Sequence, residues 1–164
     1  MRGNIVQEKR ASFWYGPIRK GRVILDYQSE KCVMVIDGAL PTGVIANTAA
    51  ILGVTLGKRQ PDAVGPDVTD KGGRLHLGIV ALPVPILRTD GLQLRLLRER
   101  LYQPEFAGVT VVDFSDVAQG CRVYEEYIKR AGQVESGGMN YLGLALCGPK
   151  KLVNKLTGSM PLLR

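Results

Sequence analysis

The chain is poor in the residues that build metal centres and disulfide frameworks. It has one histidine, His76, and three cysteines, Cys32, Cys121 and Cys147, with no Cys-x-x-Cys pair. A structural zinc site takes four ligands from closely spaced Cys and His residues, so the sequence predicts no metal site. An odd number of well-separated thiols is typical of a reducing compartment, and we expect a cytoplasmic protein that needs no disulfide.

Long apolar runs are also absent. No stretch reaches about 18 uninterrupted apolar residues, the length that a membrane-spanning helix requires, and the first residues do not contain the apolar core of a secretory signal. We therefore expect a soluble protein with no membrane partner. With 164 residues, 45% of them hydrophobic, the chain is long enough for one globular domain with its own core.

Positive charge is concentrated near the N-terminus. The net charge is +7, and residues 1–22 hold six Lys and Arg residues against one acidic residue, Glu8. We assign residues 1–30 to a basic N-terminal arm, in which 23–27 could form an edge strand, and residues 31–164 to a single α/β domain. Such an arm can attract RNA by neutralising its phosphates, although a solvated tail is the more ordinary explanation.

Apolar runs and amphipathic patterns alternate through the rest of the chain and predict four strands and four helices. The strands cover 32–36, 76–87, 109–114 and 142–147, and the helices cover 42–56, 90–102, 116–132 and 150–156. Pro83 and Pro85 make the end of the second strand irregular, and residues 57–75 form a long loop. The alternation predicts a three-layer α/β/α sandwich on a mixed, mostly parallel four-stranded sheet.

Local signals predict how these helices begin and which face they bury. Thr42 can cap the first helix, and Asp90 and Asp116 are each followed three residues later by glutamine, as in a capping box. In the helix that starts at Asp116, residues at helical spacing predict a buried face, which comprises Val117, Cys121, Tyr124 and Ile128.

Motifs for nucleotide chemistry are missing. Residues 53–58, Gly-Val-Thr-Leu-Gly-Lys, are one residue short of a phosphate-binding loop and are not followed by Ser or Thr. They also end a helix, whereas a phosphate loop has to open one so that free N–H groups face the anion. No Gly-x-Gly-x-x-Gly fingerprint follows a strand, and we predict no cofactor.

Polar residues gather where the first strand ends. Asp37 follows that strand, and Thr42, Asn47 and Thr48 lie in the helix that comes next. Ligands of open α/β sheets favour the crevice at the carboxyl ends of the strands, so we predict a ligand pocket here. The alternative assigns Asp37 and Thr42 to turn and capping roles, and Asn47 and Thr48 to a polar helix face.

Further candidates lie elsewhere in the chain. Gly138 and Asn140 form part of the turn before the last strand, and we place them beside the same crevice. His76 begins the second strand and could face either solvent or a pocket. Cys147 could act as a nucleophile only with a base within hydrogen-bond reach, so a buried strand thiol is the simpler interpretation.

Two segments carry a family resemblance. Residues 43–48 are Gly-Val-Ile-Ala-Asn-Thr, and Cys147-Gly148-Pro149 ends the last strand before a helix that closes at residues 155–158, Lys-Leu-Thr-Gly. These segments resemble the type II peptidyl-tRNA hydrolase superfamily, and more closely a branch described only as a domain of unknown function. Its members have Gly-Lys-Ile-Ala-Ala-Gln after a strand, and Gly-Pro before a helix with a Val-Thr-Gly-like turn. The resemblance covers about residues 31–162 and implies a mixed sheet with an antiparallel final strand, and often a homodimer.

The chain departs from this family at the catalytic positions. The hydrolases rely on the lysine of the first motif and on Asp-Ala-Gly-x-Thr before the last strand. Here the lysine position is Val44, and residues 130–134 place Arg130 for the aspartate and Val134 for the threonine. Because valine cannot stabilise a developing oxyanion, we do not expect conventional peptidyl-tRNA hydrolysis.

The sequence therefore predicts a cytoplasmic domain that binds a small molecule or a protein partner on a type II peptidyl-tRNA hydrolase-like scaffold, as a homodimer. The alternative is a hydrolase of peptidyl-tRNA or another ester, in which Asp37, His76 or Cys147 supplies the acid-base or nucleophilic group. A third hypothesis is RNA binding through the basic arm.

Overall fold

The computed structural model describes residues 28–135 and 137–164. The basic arm, with the edge strand predicted at 23–27, lies outside the described residues. The strands are β1 (Glu30–Asp37), β2 (Val68–Thr69), β3 (Leu75–His76), β4 (Ile86–Thr89), β5 (Thr110–Ser115) and β6 (Tyr141–Pro149). The α-helices are α1 (Thr42–Arg59), α2 (Gly91–Leu101), α3 (Asp116–Gln119), α4 (Tyr124–Ala131) and α5 (Lys150–Thr157).

The main sheet has the strand order β4-β1-β6-β5. Strands β1 and β4 are parallel, whereas β6 is antiparallel to β1 and to β5. The prediction of a mostly parallel sheet is therefore wrong, because two of its three strand pairs are antiparallel. Three strands do run in one direction, but the reversed strand lies between two of them. The antiparallel final strand that the family resemblance implied is confirmed.

Helices cover both faces of the sheet, as the three-layer prediction requires. Successive side chains of a strand point to opposite faces. In β1, Val33 and Val35 pack in a cluster with α2 and α5, whereas Cys32 and Met34 pack in a second cluster with α1. Burial of one leucine such as Leu52 of α1 stabilises the fold by about 1.5–3 kcal/mol.

The C-terminal residues cover the outer edge of β4. The Arg88 N–H donates to the Pro161 carbonyl (2.8 Å), and the Leu163 N–H donates to the Ile86 carbonyl (2.9 Å). Leu162 forms an antiparallel bridge with Leu87 between these two bonds. The segment thereby pairs backbone groups that an open edge strand would present to another chain.

The second strand was predicted in the wrong place. Only Ile86–Thr89 joins the main sheet, while Leu75–His76 pairs with Val68–Thr69 in a separate, exposed hairpin. Pro83 and Pro85 have no N–H to donate to a ladder. The strand of the main sheet therefore begins after the second proline.

The predicted caps are partly confirmed. Asp90 caps α2, because its carboxylate accepts a hydrogen bond from the Gln93 N–H (2.8 Å). Thr42 does not cap α1: it is the first helical residue, after Pro41, and no side chain caps this helix. Ser115, rather than Asp116, is the N-cap of α3.

The single helix predicted over 116–132 is two helices. The chain leaves α3 at Gly120, and α4 begins after Val123. Between them, the Arg122 N–H donates to the Glu126 carboxylate (3.1 Å), which satisfies a donor just ahead of α4. Tyr124 and Ile128, which were predicted to be buried, are 70% and 61% exposed.

Cys32 and Cys147 form a disulfide, so the prediction of a free, buried thiol at Cys147 is wrong. The two residues lie opposite each other in the β1–β6 pair, with Cα atoms 4.1 Å apart, although 115 positions separate them in the sequence. Cys121 is a free cysteine. Because disulfides persist mainly in oxidising compartments, the cysteines no longer support a cytoplasmic location, which stays a prediction.

Reduction of the Cys32–Cys147 disulfide is expected to lower the free energy of unfolding by about 2–4 kcal/mol, because the crosslink restricts the unfolded chain. Urea unfolding with and without reductant measures the difference, and Cys121→Ser, which keeps the crosslink, should respond to reductant as the wild type does. Alkylation of the denatured, unreduced protein should modify Cys121 alone. Modification of all three cysteines would contradict the crosslink.

Gly143 allows α1 to lie close to the sheet. A Cβ atom at this position of β6 would come within 2.7 Å of Thr48 Cγ2 and within 3.1 Å of Leu52 Cδ1. Non-bonded carbon atoms prefer separations of about 3.5–4.0 Å. The absence of a side chain at Gly143 therefore determines how closely the helix approaches.

Gly143→Ala is expected to destabilise the protein by about 1–3 kcal/mol, because the added methyl group overpacks this contact. Gly57→Ala in α1 is the matched control: a Cβ there meets nothing within 4 Å, and removal of a helical glycine should stabilise the fold by roughly 0.5–1 kcal/mol. Denaturant titration of both variants compares them. A similar change in stability for the two would argue against the close approach of α1 to β6.

Candidate functional site

The polar candidates lie near the edge of the sheet where β1, β4 and β5 end and β6 begins. Because β6 is reversed, its first residues lie beside the last residues of its neighbours: Ile36 pairs with Gly143, and Ser115 pairs with Tyr141. Asp37 pairs with Thr89 at the end of β4. This carboxyl-end edge is the place where the sequence predicted a pocket.

Three polar side chains, Arg95, Asn140 and Asp116, form a hydrogen-bonded series at this edge, which we call the polar chain. Arg95 of α2 donates from Nη2 to Asn140 Oδ1 (2.8 Å), and Asn140 Nδ2 donates to Asp116 Oδ2 (2.8 Å). The amide thus presents its oxygen to the guanidinium group and its nitrogen to the carboxylate. The two opposite charges therefore orient Asn140.

Backbone hydrogen bonds hold Asp116 and Asn140 together. The Asp116 N–H donates to the Asn140 carbonyl (2.9 Å), and the Asn140 N–H donates to Asp116 Oδ1 (3.3 Å). The same Oδ1 accepts from the Val117 N–H (2.8 Å). Since neighbouring donors occupy both carboxylate oxygens, Asp116 is suited to fixing the segment before β6.

Arg95 has donors that the polar chain does not use. Its Nε is buried and has no hydrogen-bond partner among the described residues, although the side chain as a whole is partly exposed. A guanidinium group carries five N–H donors. A buried donor without a partner costs about 1–3 kcal/mol, so such a group indicates a place where a ligand or an ordered water completes the site.

Thr48 is a second buried polar residue without a partner, but it lies on the opposite face of the sheet. It is fully buried on α1, over Gly143, and its Oγ1 has no hydrogen-bond partner in the described part of the chain. Asn47 is exposed and donates to the Gln119 side chain of α3 (3.3 Å). The pocket predicted from the sequence is therefore divided between the α1 face and the α2 face.

Asp37 has the turn role that the alternative interpretation assigned to it, and it also lies close to α2. Its Oδ1 accepts from the Ala39 N–H (2.9 Å). Its Oδ2 is 3.6 Å from the position of a Cβ on Gly91, at the start of α2. Thr42 is exposed at the first residue of α1. Of these two, Asp37 is thus the one placed against α2, the helix that carries Arg95.

His76 and Cys147 lie away from the carboxyl-end edge. His76 is exposed in the hairpin, with Nε2 3.4 Å from Asp70 Oδ2, and the backbone N–H of Arg74 lowers the pKa of Asp70. Cys147 pairs with Cys32, toward the other end of β6, and forms a disulfide with it. The proposed base and nucleophile of a hydrolase are therefore not brought together.

Gly138 has a structural role in the turn that leads to Asn140. Its N–H donates to the Glu135 carbonyl (2.8 Å), and a Cβ on it would lie 3.0 Å from that oxygen. Gly138 thus permits a tight turn ahead of β6. It positions Asn140, and its backbone N–H is already used.

Sequence reasoning missed Arg95 and gave Asp116 only a capping role. The available signal for Arg95 was its position within two turns of Asp90, the confirmed cap of α2, which follows the end of β4.

No three His, Cys, Asp or Glu side chains within residues 28–135 and 137–164 are grouped so as to hold a metal ion. A groove of about 400 Å³ lies at the outer edge of β4, lined by Arg88, Pro161, Leu162 and Arg164.

An ion pair on the α2 face helps to position Arg95. Arg98 of α2 donates from Nε to Asp113 Oδ2 of β5 (2.8 Å), and its guanidinium lies 4.0 Å from the centre of the Tyr102 ring. Tyr141, buried at the start of β6, lies near these groups: burial raises the pKa of Tyr141 to about 12, and the negative charge of Asp113 adds to the increase. The ion pair between Arg98 and Asp113 links α2 to β5 at a position three residues after Arg95.

Comparison with known proteins supports the fold. Residues 30–164 match the family described as "Protein of unknown function (DUF2000)". A solved structure, that of the protein of unknown function Atu0240 from Agrobacterium tumefaciens strain C58, is similar with a TM-score of 0.73 at 17% identity, over 82% of this chain and 97% of that chain. At this identity the similarity shows the fold alone. No curated protein matches the chain.

None of the helices in the described residues is long and apolar enough to cross a membrane.

The stability of the protein is expected to fall as the pH rises from about 10 to about 12, because the pKa of Tyr141 is raised in the folded state from 10.0 to about 12. In that range the folded protein keeps a proton that the unfolded chain releases, so alkali favours unfolding. Urea unfolding between pH 9 and pH 12 (roughly the range of tyrosine titration) should show a shallower decline for Tyr141→Phe. An identical decline in wild type and variant would contradict the burial of this phenol.

Proposed function

The chain belongs to the DUF2000 family, a family of unknown function, and from the geometry of the carboxyl-end edge we propose that it binds a small ligand with an anionic group. One observation carries the proposal: the Nε of Arg95 is buried with no hydrogen-bond partner among residues 28–135 and 137–164, at an edge where Asn140 and Asp116 already fix the guanidinium group. The ligand anion would complete the hydrogen bonding of Arg95.

The chemistry of arginine specifies the ligand class. A guanidinium group stays charged at all physiological pH values and binds carboxylate or phosphate oxygens through two parallel N–H bonds. Asn140 occupies one donor of Arg95 and holds the group in place. Such preorganisation reduces the entropy lost when a ligand binds.

A type II peptidyl-tRNA hydrolase-like scaffold is a further part of the proposal. Its support is the reversed final strand β6, which ends in Gly148-Pro149 directly before α5. Val44 occupies the lysine position, and Arg130 forms an ion pair with Glu126 on α4. Because neither residue can replace the catalytic groups, we propose binding and not peptidyl-tRNA hydrolysis. A cytoplasmic location and RNA binding by the arm stay predictions.

The test compares Arg95→Gln with Arg100→Gln, a matched control on the exposed part of the same helix. The probes are inorganic phosphate, acetate and citrate, added to the purified full chain while its melting temperature is measured. Native mass spectrometry would detect any small molecule that copurifies. Since a charge-assisted hydrogen bond contributes about 1.5–3 kcal/mol, Arg95→Gln should weaken binding about 10- to 100-fold, and Arg100→Gln should leave it unchanged.

Two results would count against the proposal. Equal stabilisation of both variants by an anion would show that the anion binds elsewhere. If no probe stabilised the protein and no small molecule copurified with it, the proposed anionic ligand would be contradicted. Turnover of N-acetyl-aminoacyl-tRNA by the full chain would show that the scaffold has rebuilt a catalytic site with other residues.

A further inference from the structure

The outer face of α4 is an apolar surface without a partner in the described chain. No residue of this helix is fully buried, and Tyr124 and Ile128 are 70% and 61% exposed. Because residues four apart lie on the same side of a helix, these two side chains form one stripe. The Tyr127 ring packs edge-on against Tyr124, with ring centres 5.7 Å apart, and so supports the stripe from its inner side.

Two opposite charges flank the stripe on one side. Glu125 and Lys129 each follow a stripe residue, and both are exposed with no ion-pair partner among the described residues. The neighbouring residues Glu126 and Arg130, also four apart, do pair with each other. Glu125 lies in the first turn of α4, and Lys129 lies in the last.

We propose that this face binds the same face of a second copy of the chain, with the two α4 helices antiparallel about a two-fold axis. Such an axis, perpendicular to both helices, keeps the charged flanks on the same side and exchanges their ends. Glu125 of each copy then faces Lys129 of the other. Tyr124 and Ile128 of the two copies bury one another beside these ion pairs.

The charge order selects a second copy over an unrelated partner. An isologous interface has to be self-complementary, since the same residues face each other in exchanged order. An acidic first turn and a basic last turn beside an apolar stripe meet this requirement in the antiparallel arrangement. In a parallel arrangement the two-fold axis would run along the helices and place the charged flanks on opposite sides of the stripe, so that Glu125 and Lys129 could not pair across it. The inference is independent of the ligand site, because it uses no residue of the polar chain.

The test measures the dimer dissociation constant of the full chain by sedimentation velocity over a concentration series. Ile128→Asp should abolish the dimer, whereas Val54→Asp, at a 78% exposed position of α1, should leave it unchanged. Glu125→Lys and Lys129→Glu each replace two attractive pairs by two repulsive ones, and each should weaken the dimer about 10-fold or more. An equimolar mixture of these two charge variants should form a heterodimer with nearly wild-type affinity.

The mixture distinguishes a specific interface from a folding defect, because it contains the same two variant chains that are expected to dimerise poorly when each is measured alone. A wild-type chain that stays monomeric up to high concentration would overturn the proposal. A dimer that survives Ile128→Asp would do the same, since it would show that another surface, or the N-terminal arm, joins the copies. Failure of the two charge variants to associate with each other would exclude the antiparallel arrangement.

Discussion

The position of β6 between β1 and β5 governs the rest of the structure. This strand is buried along most of its length and supplies the pairing partner for both neighbours. Its register places Cys147 against Cys32 and sets Gly143 beneath Thr48 of α1. Its reversed direction brings Asn140 to the ends of β1 and β5, where the polar chain forms. A shift of one residue would send each side chain of β6 to the wrong face.

Two buried polar atoms have no partner among the described residues, and their surroundings differ in a way that matters for function. The Thr48 hydroxyl lies inside a sealed contact between α1 and β6, so a ligand could reach it only if the helix moved. Arg95 lies at the edge of the sheet, is partly exposed, and is held by Asn140 from one side. The partial exposure of its side chain and its fixed charge together make Arg95 the better anchor. The unpaired Thr48 hydroxyl is a cost of close helix packing.

The strengths and failures of the sequence predictions have local causes. The strands at 32–36, 109–114 and 142–147 were predicted because continuous apolar runs are typical of strands buried on both faces. The start of α2 was predicted from Asp90, whose cap is a contact between near neighbours. The stripe of Tyr124 and Ile128 was identified correctly as one helical face, but it was assigned to the core, since periodicity shows that a face is apolar and not what covers it.

The amino-acid sequence specified the features that depend on residues close together in the chain: most strands and helices, their alternation, one helix cap, and the polar character of the segments around β1 and β6. The three-dimensional arrangement alone specified the position of β6 between β1 and β5, the disulfide, the polar chain centred on Asn140 and the exposed face of α4. Each of these depends on which distant segments pack together. Cys32 and Cys147, 115 positions apart, carry no local signal of their pairing, because it arises from the register of two strands that meet only when the sheet forms.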